Sequence, residues 1–128
     1  MILDSSVIVA LGIEEPGFPA LVEKLETADA LAVGTPTLVE SSMVLQSRVG
    51  AIAGPFLENF LEDFVVEVVP FGAKHWREAF RAFRLYGKGR HPAHLNFGDC
   101  MSYATAKVAD RPLLFIGDDF SKTDLESA

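Results

Sequence analysis

A chain of 128 residues, 49% of them hydrophobic, is long enough to bury a full core as one domain, residues 1–128, and too apolar for disorder. No apolar run approaches the ~20 residues of a membrane span, the N-terminus lacks the basic and long apolar regions of a secretion signal, and the single cysteine, Cys100, excludes an internal disulfide, so a cytoplasmic protein is expected. The net charge of −7 argues against loose nucleic-acid binding through bulk charge, and an acidic surface suits a basic protein partner.

Residues 1–4 read as a short strand that stops at Asp4. Asp4-Ser5-Ser6 opens a helix through Val7, Ile8, Val9 and Leu11 that ends near Gly12, and Pro16-Gly17 breaks the chain. A second helix carries Phe18, Leu21, Val22 and Leu25 on one face. Leu31-Ala32-Val33-Gly34 is a short buried strand. Thr35-Pro36 then starts a third helix, with Leu38, Val39, Met43, Val44 and Leu45, that stops near Gly50. Gly54-Pro55 is expected to separate it from a fourth, which carries Phe56, Leu57, Phe60, Leu61 and Phe64. The β-branched run Val65-Val66-Glu67-Val68-Val69 reads as a strand. A long amphipathic helix over 73–87 follows, with Trp76, Phe80 and Phe83 assigned to the core. Then come a loop over 88–95 and a helix from Asn96 to Ala109. Pro112 to Ile116 is the last strand, closed by Gly117-Asp118-Asp119, with a weak strand around Leu125 in the tail.

Strands alternating with helices imply an α/β fold with a central, mainly parallel sheet covered on both faces. In such folds sites form outside the carboxyl ends of the strands, where helix N-termini also open. Four acids fall on that edge. Asp4 ends the first strand, Glu40 lies in the first turns of the helix after the second, Asp99 in the first turn of the helix before the last, and Asp118 follows the last strand. Each has a local explanation: a cap for Asp4, a helix-dipole partner for Glu40, a capping box over Asn96-Phe97-Gly98-Asp99, and a turn at Asp118. Converging carboxylates, however, repel one another and resist burial, and a divalent cation resolves both problems. Magnesium (or manganese) suits a few carboxylates and several waters. No Cys/His set points to zinc, and His91 and His94 lack a partner at suitable spacing.

At this point the residues resemble a known family. Asp4-Ser5-Ser6, Pro36-Thr37-Leu38-Val39-Glu40, Leu95-Asn96-Phe97-Gly98-Asp99-Cys100 and Leu114-Phe115-Ile116-Gly117-Asp118-Asp119-Phe120 are similar to PIN domains, above all the VapC toxins of VapBC toxin–antitoxin modules. The resemblance covers essentially the whole chain. It implies a PIN-like three-layer α/β/α fold and a Mg2+- or Mn2+-dependent endoribonuclease. The acidic quartet would be Asp4, Glu40, Asp99 and Asp118, with Ser6 and Asn96 supporting and Asp119 able to trade roles with Asp118. It also implies a homodimer held inactive by a VapB-type antitoxin in a heterotetramer or larger complex. The chain departs from the family at its end, Leu125-Glu126-Ser127-Ala128, where an apolar strand is usual.

The expected chemistry is hydrolysis of RNA phosphodiester bonds, with Asp4 and Asp99 as direct ligands. Glu40 and Asp118 would hold metal-bound waters, complete a second site or orient the nucleophile. Cys100 reads as a packed thiol. Six of the eleven Lys and Arg residues lie in one stretch, Lys74, Arg77, Arg81, Arg84, Lys88 and Arg90, opposed only by Glu78. Two readings stand for them: a solvated helix face, or an RNA-backbone track through Arg77, Arg81, Arg84, Lys88 and Arg90. The alternatives to a toxin are a PIN-type nuclease acting on DNA or in RNA processing, and a silent binding module whose acids are only caps. A response-regulator receiver fits poorly, because no acid follows the strand that ends at Val69.

Overall fold

Period-two alternation inside very short strands sets the architecture. The computed structural model describes residues 1–128 and holds four parallel strands, β1 (Ile2–Leu3), β2 (Leu31–Gly34), β3 (Val66–Val69) and β4 (Leu113–Leu114), in the order β3-β2-β1-β4. Ile2 pairs with Ala32 on one side and Leu113 on the other, and Leu31 pairs with Val66. Leu3, Leu31, Val33, Val66 and Leu114 project into one core with Val7, Ile8, Leu45, Leu57 and Phe60. Ile2, Ala32 and Leu113 project into a second core with Ala79, Ala82, Leu95, Tyr103, Ala104 and Phe120. One sheet between two helical layers is the three-layer α/β/α arrangement implied by the sequence.

The helices are α1 (Ser5–Gly12), α2 (Phe18–Glu26), α3 (Thr35–Val49), α4 (Ala53–Asp63), α5 (Ala73–Tyr86) and α6 (Phe97–Ala109). The break between α3 and α4 differs from expectation. Gly54 and Pro55 lie inside the first turn of α4, where a proline costs no helical hydrogen bond. The chain turns instead at Gly50, whose φ of +68° suits glycine, and crosses a single 3-10 turn, Gly50–Ile52. Val65 also leaves the expected strand. It reverses the chain after α4 with a φ of +51° and is exposed. The weak strand near Leu125 is reduced to a parallel bridge between Ser127 and Leu113. The tail is pinned one residue before Leu125, at Asp124. Asp124 accepts a hydrogen bond from the Tyr103 hydroxyl (2.7 Å) and pairs with Lys107 (2.8 Å).

The assignment of Trp76, Phe80 and Phe83 to the core is overturned. They are 55, 55 and 38% exposed, while Ala79 and Ala82 form the buried face of α5. Small alanines let α5 lie close against α6, and that close approach turns the bulky aromatics outward. With Pro36, Phe71, Phe97 and Met101 they line an apolar groove of about 590 Å³.

Candidate metal centre

Asp4 is the most constrained of the acids. It leaves β1 as the N-cap of α1 and is only 4% exposed. Its Oδ2 accepts from the Ser6 backbone N–H (3.1 Å) and the Ser6 hydroxyl (2.6 Å). Its Oδ1 accepts from the Ser102 hydroxyl on α6 (2.6 Å). The Ser6 oxygen in turn accepts from the backbone N–H of Ile116 (3.0 Å), just beyond β4. The capping reading of Asp4 therefore holds, but it accounts for only one side of the carboxylate.

The capping box at α6 is also real. Asn96 Oδ1 accepts from the Asp99 N–H (2.9 Å), and Asp99 Oδ2 accepts from the Asn96 N–H (3.0 Å). Yet the Asp99 carboxyl is pushed up to about 6. Burial is the main cause, and the charges of Asp4, Asp119 and Glu40 add to it, against the lowering effect of the Asn96 N–H. A carboxylate serving only as a helix cap would not carry three acidic neighbours.

Glu40 reaches this group from the second turn of α3. Its side chain lies against Gly98, where an added Cβ would come within 2.7 Å of Cδ and 2.9 Å of Oε1. Its partial burial comes from α6 rather than from its own helix, since Val39 and Met43 beside it are exposed. At the last strand, Asp119 supplies the charge that reaches Asp99, and Asp118 does not figure among the groups acting on it. Asp118 uses its carbonyl to accept from the backbone and side chain of Ser121 in the closing turn. Both are exposed.

The structure thus brings Asp4, Glu40, Asp99 and Asp119 onto one edge, with Ser6 and Asn96 bonded to two of them. No Lys, Arg or His pairs with any of the four; the ion pairs are Arg81–Glu78, Lys107–Asp124 and Arg111–Glu67. No three of these side chains are drawn together as a closed ligand cage. An open, all-oxygen donor set with no basic partner fits a hard cation that keeps several of its waters, as magnesium does. His91 takes no part. Its Nδ1 accepts from the Ala93 N–H (3.0 Å) and its ring meets Tyr86 edge-on, within the loop before α6. Cys100 is buried and its thiol is pushed up to about 11 by burial and by Asp99, as suits an inert packed group.

The basic residues of α5 and of the turn after it are on the surface. The guanidinium groups of Arg77, Arg84 and Arg90 lie over the rings of Trp76, Phe80 and Phe83 at 5.1, 5.0 and 5.2 Å. Arg81 is shared between Glu78 (3.4 Å) and the Tyr103 hydroxyl (3.3 Å), and Lys88 is exposed. Sequence reasoning missed Ser102 and Thr37, which are bonded to each other (3.1 Å) behind Asp4. The available signal was spacing. Each lies three residues from an acid of the quartet, Thr37 before Glu40 and Ser102 after Asp99.

A family model of the PIN domain matches residues 1–126. Ribonuclease VapC36 of Mycobacterium tuberculosis is 44% identical over 128 residues, covering 98% of this chain and 91% of the relative. Ribonuclease VapC42 of the same species is 40% identical over 129 residues, covering 100% and 98%. Among solved structures, M. tuberculosis VapC20, described as a sarcin-ricin loop cleaving toxin, superimposes with a TM-score of 0.78 at 18% identity over 99% of this chain and 97% of that one. VapBC2 from Rickettsia felis, bound to a DNA fragment from its promoter, gives 0.77 at 19% identity over 99% and 96%.

Proposed function

The chain belongs to the PIN-domain family, among its VapC ribonucleases, and we propose that it is a Mg2+- or Mn2+-dependent endoribonuclease toxin neutralised by a VapB-type antitoxin. The observation that carries the metal-dependent reading is the Asp99 carboxyl, held near 6 among Asp4, Glu40 and Asp119 with no basic side chain paired to any of them. A divalent cation bound there would neutralise the scissile phosphate and make a water a competent nucleophile near neutral pH. Asp4 and Asp99 are the direct ligands in this reading. Asp4 is fixed by its three hydrogen-bond donors and Asp99 by the capping box. Glu40 and an acid of the Asp118-Asp119 pair accept hydrogen bonds from water and hold the nucleophile in line. Ser6 holds the Asp4 carboxylate in place through two hydrogen bonds to Oδ2. Arg77, Arg81, Arg84, Lys88 and Arg90 contact the RNA backbone, and Cys100 takes no chemical part.

The protein acts as a homodimer and forms a heterotetramer or larger complex with its antitoxin. The Rickettsia felis complex supports an antitoxin partner, and a basic antitoxin side chain suits the carboxylate edge. The metal site is tested by thermal melting. Millimolar Mg2+ or Mn2+ should raise the melting temperature of the wild type and leave that of Asp4→Ala unmoved, because only binding to the folded state stabilises it. An unchanged wild-type curve would remove the metal site.

A further inference from the structure

Asp4 has both carboxylate oxygens engaged before any cation arrives, and its three donors come from two different helices, α1 and α6. Ser6 supplies two hydrogen bonds to Oδ2, and Ser102 supplies one to Oδ1. An ionised carboxylate offers roughly four lone-pair directions. Three are taken, so the remaining one is on Oδ1, the oxygen that Ser102 holds. Ser102 has a single hydroxyl proton, and it is committed to Asp4 at 2.6 Å. The 3.1 Å contact with Thr37 must then run the other way, with Thr37 donating to the Ser102 oxygen. Ser102 and Thr37 are 0 and 2% exposed, so water cannot substitute for either hydroxyl.

Thr37 stands one turn before Glu40 on α3, and Ser102 one turn after Asp99 on α6. Residues three apart share a helix face. Each helix that carries an acid of the site therefore also sends a buried hydroxyl inward, and the two hydroxyls meet behind Asp4. We propose that Ser102, oriented by Thr37, is a positioning residue for the metal site: it aims the free lone pair of Asp4 Oδ1 at the cation and locks α3 and α6 to β1, so that Glu40 and Asp99 reach the same point. This proposal rests on the metal-site reading given above. Hydrogen-bond partners behind metal ligands affect affinity strongly without touching the ion.

The test is Mn2+ binding to the full chain by calorimetry, together with melting in chelator, for the wild type, Ser102→Ala, Thr37→Val and Thr37→Ser. Ser102→Ala should weaken Mn2+ binding by about tenfold while the metal-free protein still melts cooperatively. Thr37→Val keeps shape and loses the hydroxyl, and should weaken binding less. Thr37→Ser restores the hydroxyl and should restore affinity, a rescue that a purely structural role would not produce. The Mn2+ concentration for half-maximal RNA cleavage should rise in the same order. Wild-type affinity in both Ser102→Ala and Thr37→Val overturns the proposal. If Ser102→Ala fails to fold, the Thr37→Val and Thr37→Ser pair decides alone: equal affinities in the two overturn it, and loss with rescue supports it. No Mn2+ binding by the wild type itself overturns the metal-site reading beneath it.

Discussion

The carboxylate of Glu40 rests on the bare α-carbon of Gly98, the residue immediately before Asp99. At this contact α3 meets the N-terminus of α6. A side chain at Gly98 would collide with Glu40, although nothing in the backbone there demands glycine. Gly98→Ala should therefore separate stability from activity. Alanine favours a helix by about 1 kcal/mol over glycine, so melting should change little, while cleavage falls by about tenfold or more as Glu40 is displaced. Steady-state cleavage beside a melting curve checks this. Full activity in Gly98→Ala would mean that Glu40 works from elsewhere.

The metal-free site should carry a pH signature. The Asp99 carboxyl lies at about 6, above its ordinary 3.8. The folded chain binds that proton more tightly than the unfolded chain, so rising pH between 3.8 and about 6 erodes metal-free stability. Asp99→Asn removes the charge and keeps an acceptor for the Asn96 N–H. In chelator at pH 7 the variant should melt a few degrees above the wild type, and the gap should close near pH 4. Mn2+ should reverse the order at pH 7, because only the wild type keeps the ligand. A gap independent of pH would show that burial and repulsion at Asp99 are not its cause.

The adjacent acids of the closing turn should differ. Asp119 acts on Asp99, whereas Asp118 anchors Ser121 through its carbonyl. Asp119→Asn should weaken Mn2+ binding by about tenfold and Asp118→Asn by less than about twofold, measured by calorimetry. The reverse order would make Asp118 the working acid of the pair.

The basic stretch over α5 and the turn after it makes a separate prediction about RNA. In an Asp4→Ala background that cannot cleave, Arg84→Ala and Lys88→Ala should each weaken RNA binding and reduce the slope of log affinity against log salt by about one. Binding with an unchanged slope would leave this stretch as solvated surface, with its arginines merely packed on Trp76, Phe80 and Phe83.

Much of this was legible in the sequence because strand-end acids and helix starts are local signals. Asp4, Glu40, Asp99 and Asp118 could be assigned to one edge from the alternation of elements alone, and the capping box at Asn96 was visible as a spacing. What was not legible depends on contacts across the sheet. Trp76, Phe80 and Phe83 have the periodicity of a buried face, and only the packing of Ala79 and Ala82 against α6 turns them outward. The Gly50 turn was masked by a stronger Gly54-Pro55 signal, since proline is compatible with a first helical turn as well as with a break. That the charge of Asp119 reaches Asp99 depends on the path of the chain beyond β4, which the adjacent pair does not show by itself. Ser102 and Thr37 were invisible singly, since a lone helix hydroxyl usually bonds to its own backbone; their meeting with Asp4 spans 98 residues.

The most direct measurement is cleavage of total cellular RNA by the purified protein with Mg2+ or Mn2+, beside chelator, Asp4→Ala and Asp99→Ala. Discrete fragments that need the cation and vanish in both variants are the predicted result. Equal cleavage in chelator or in either variant, or no cleavage by a wild type that binds Mn2+ and is free of partner protein, would refute a metal-dependent ribonuclease built on these carboxylates.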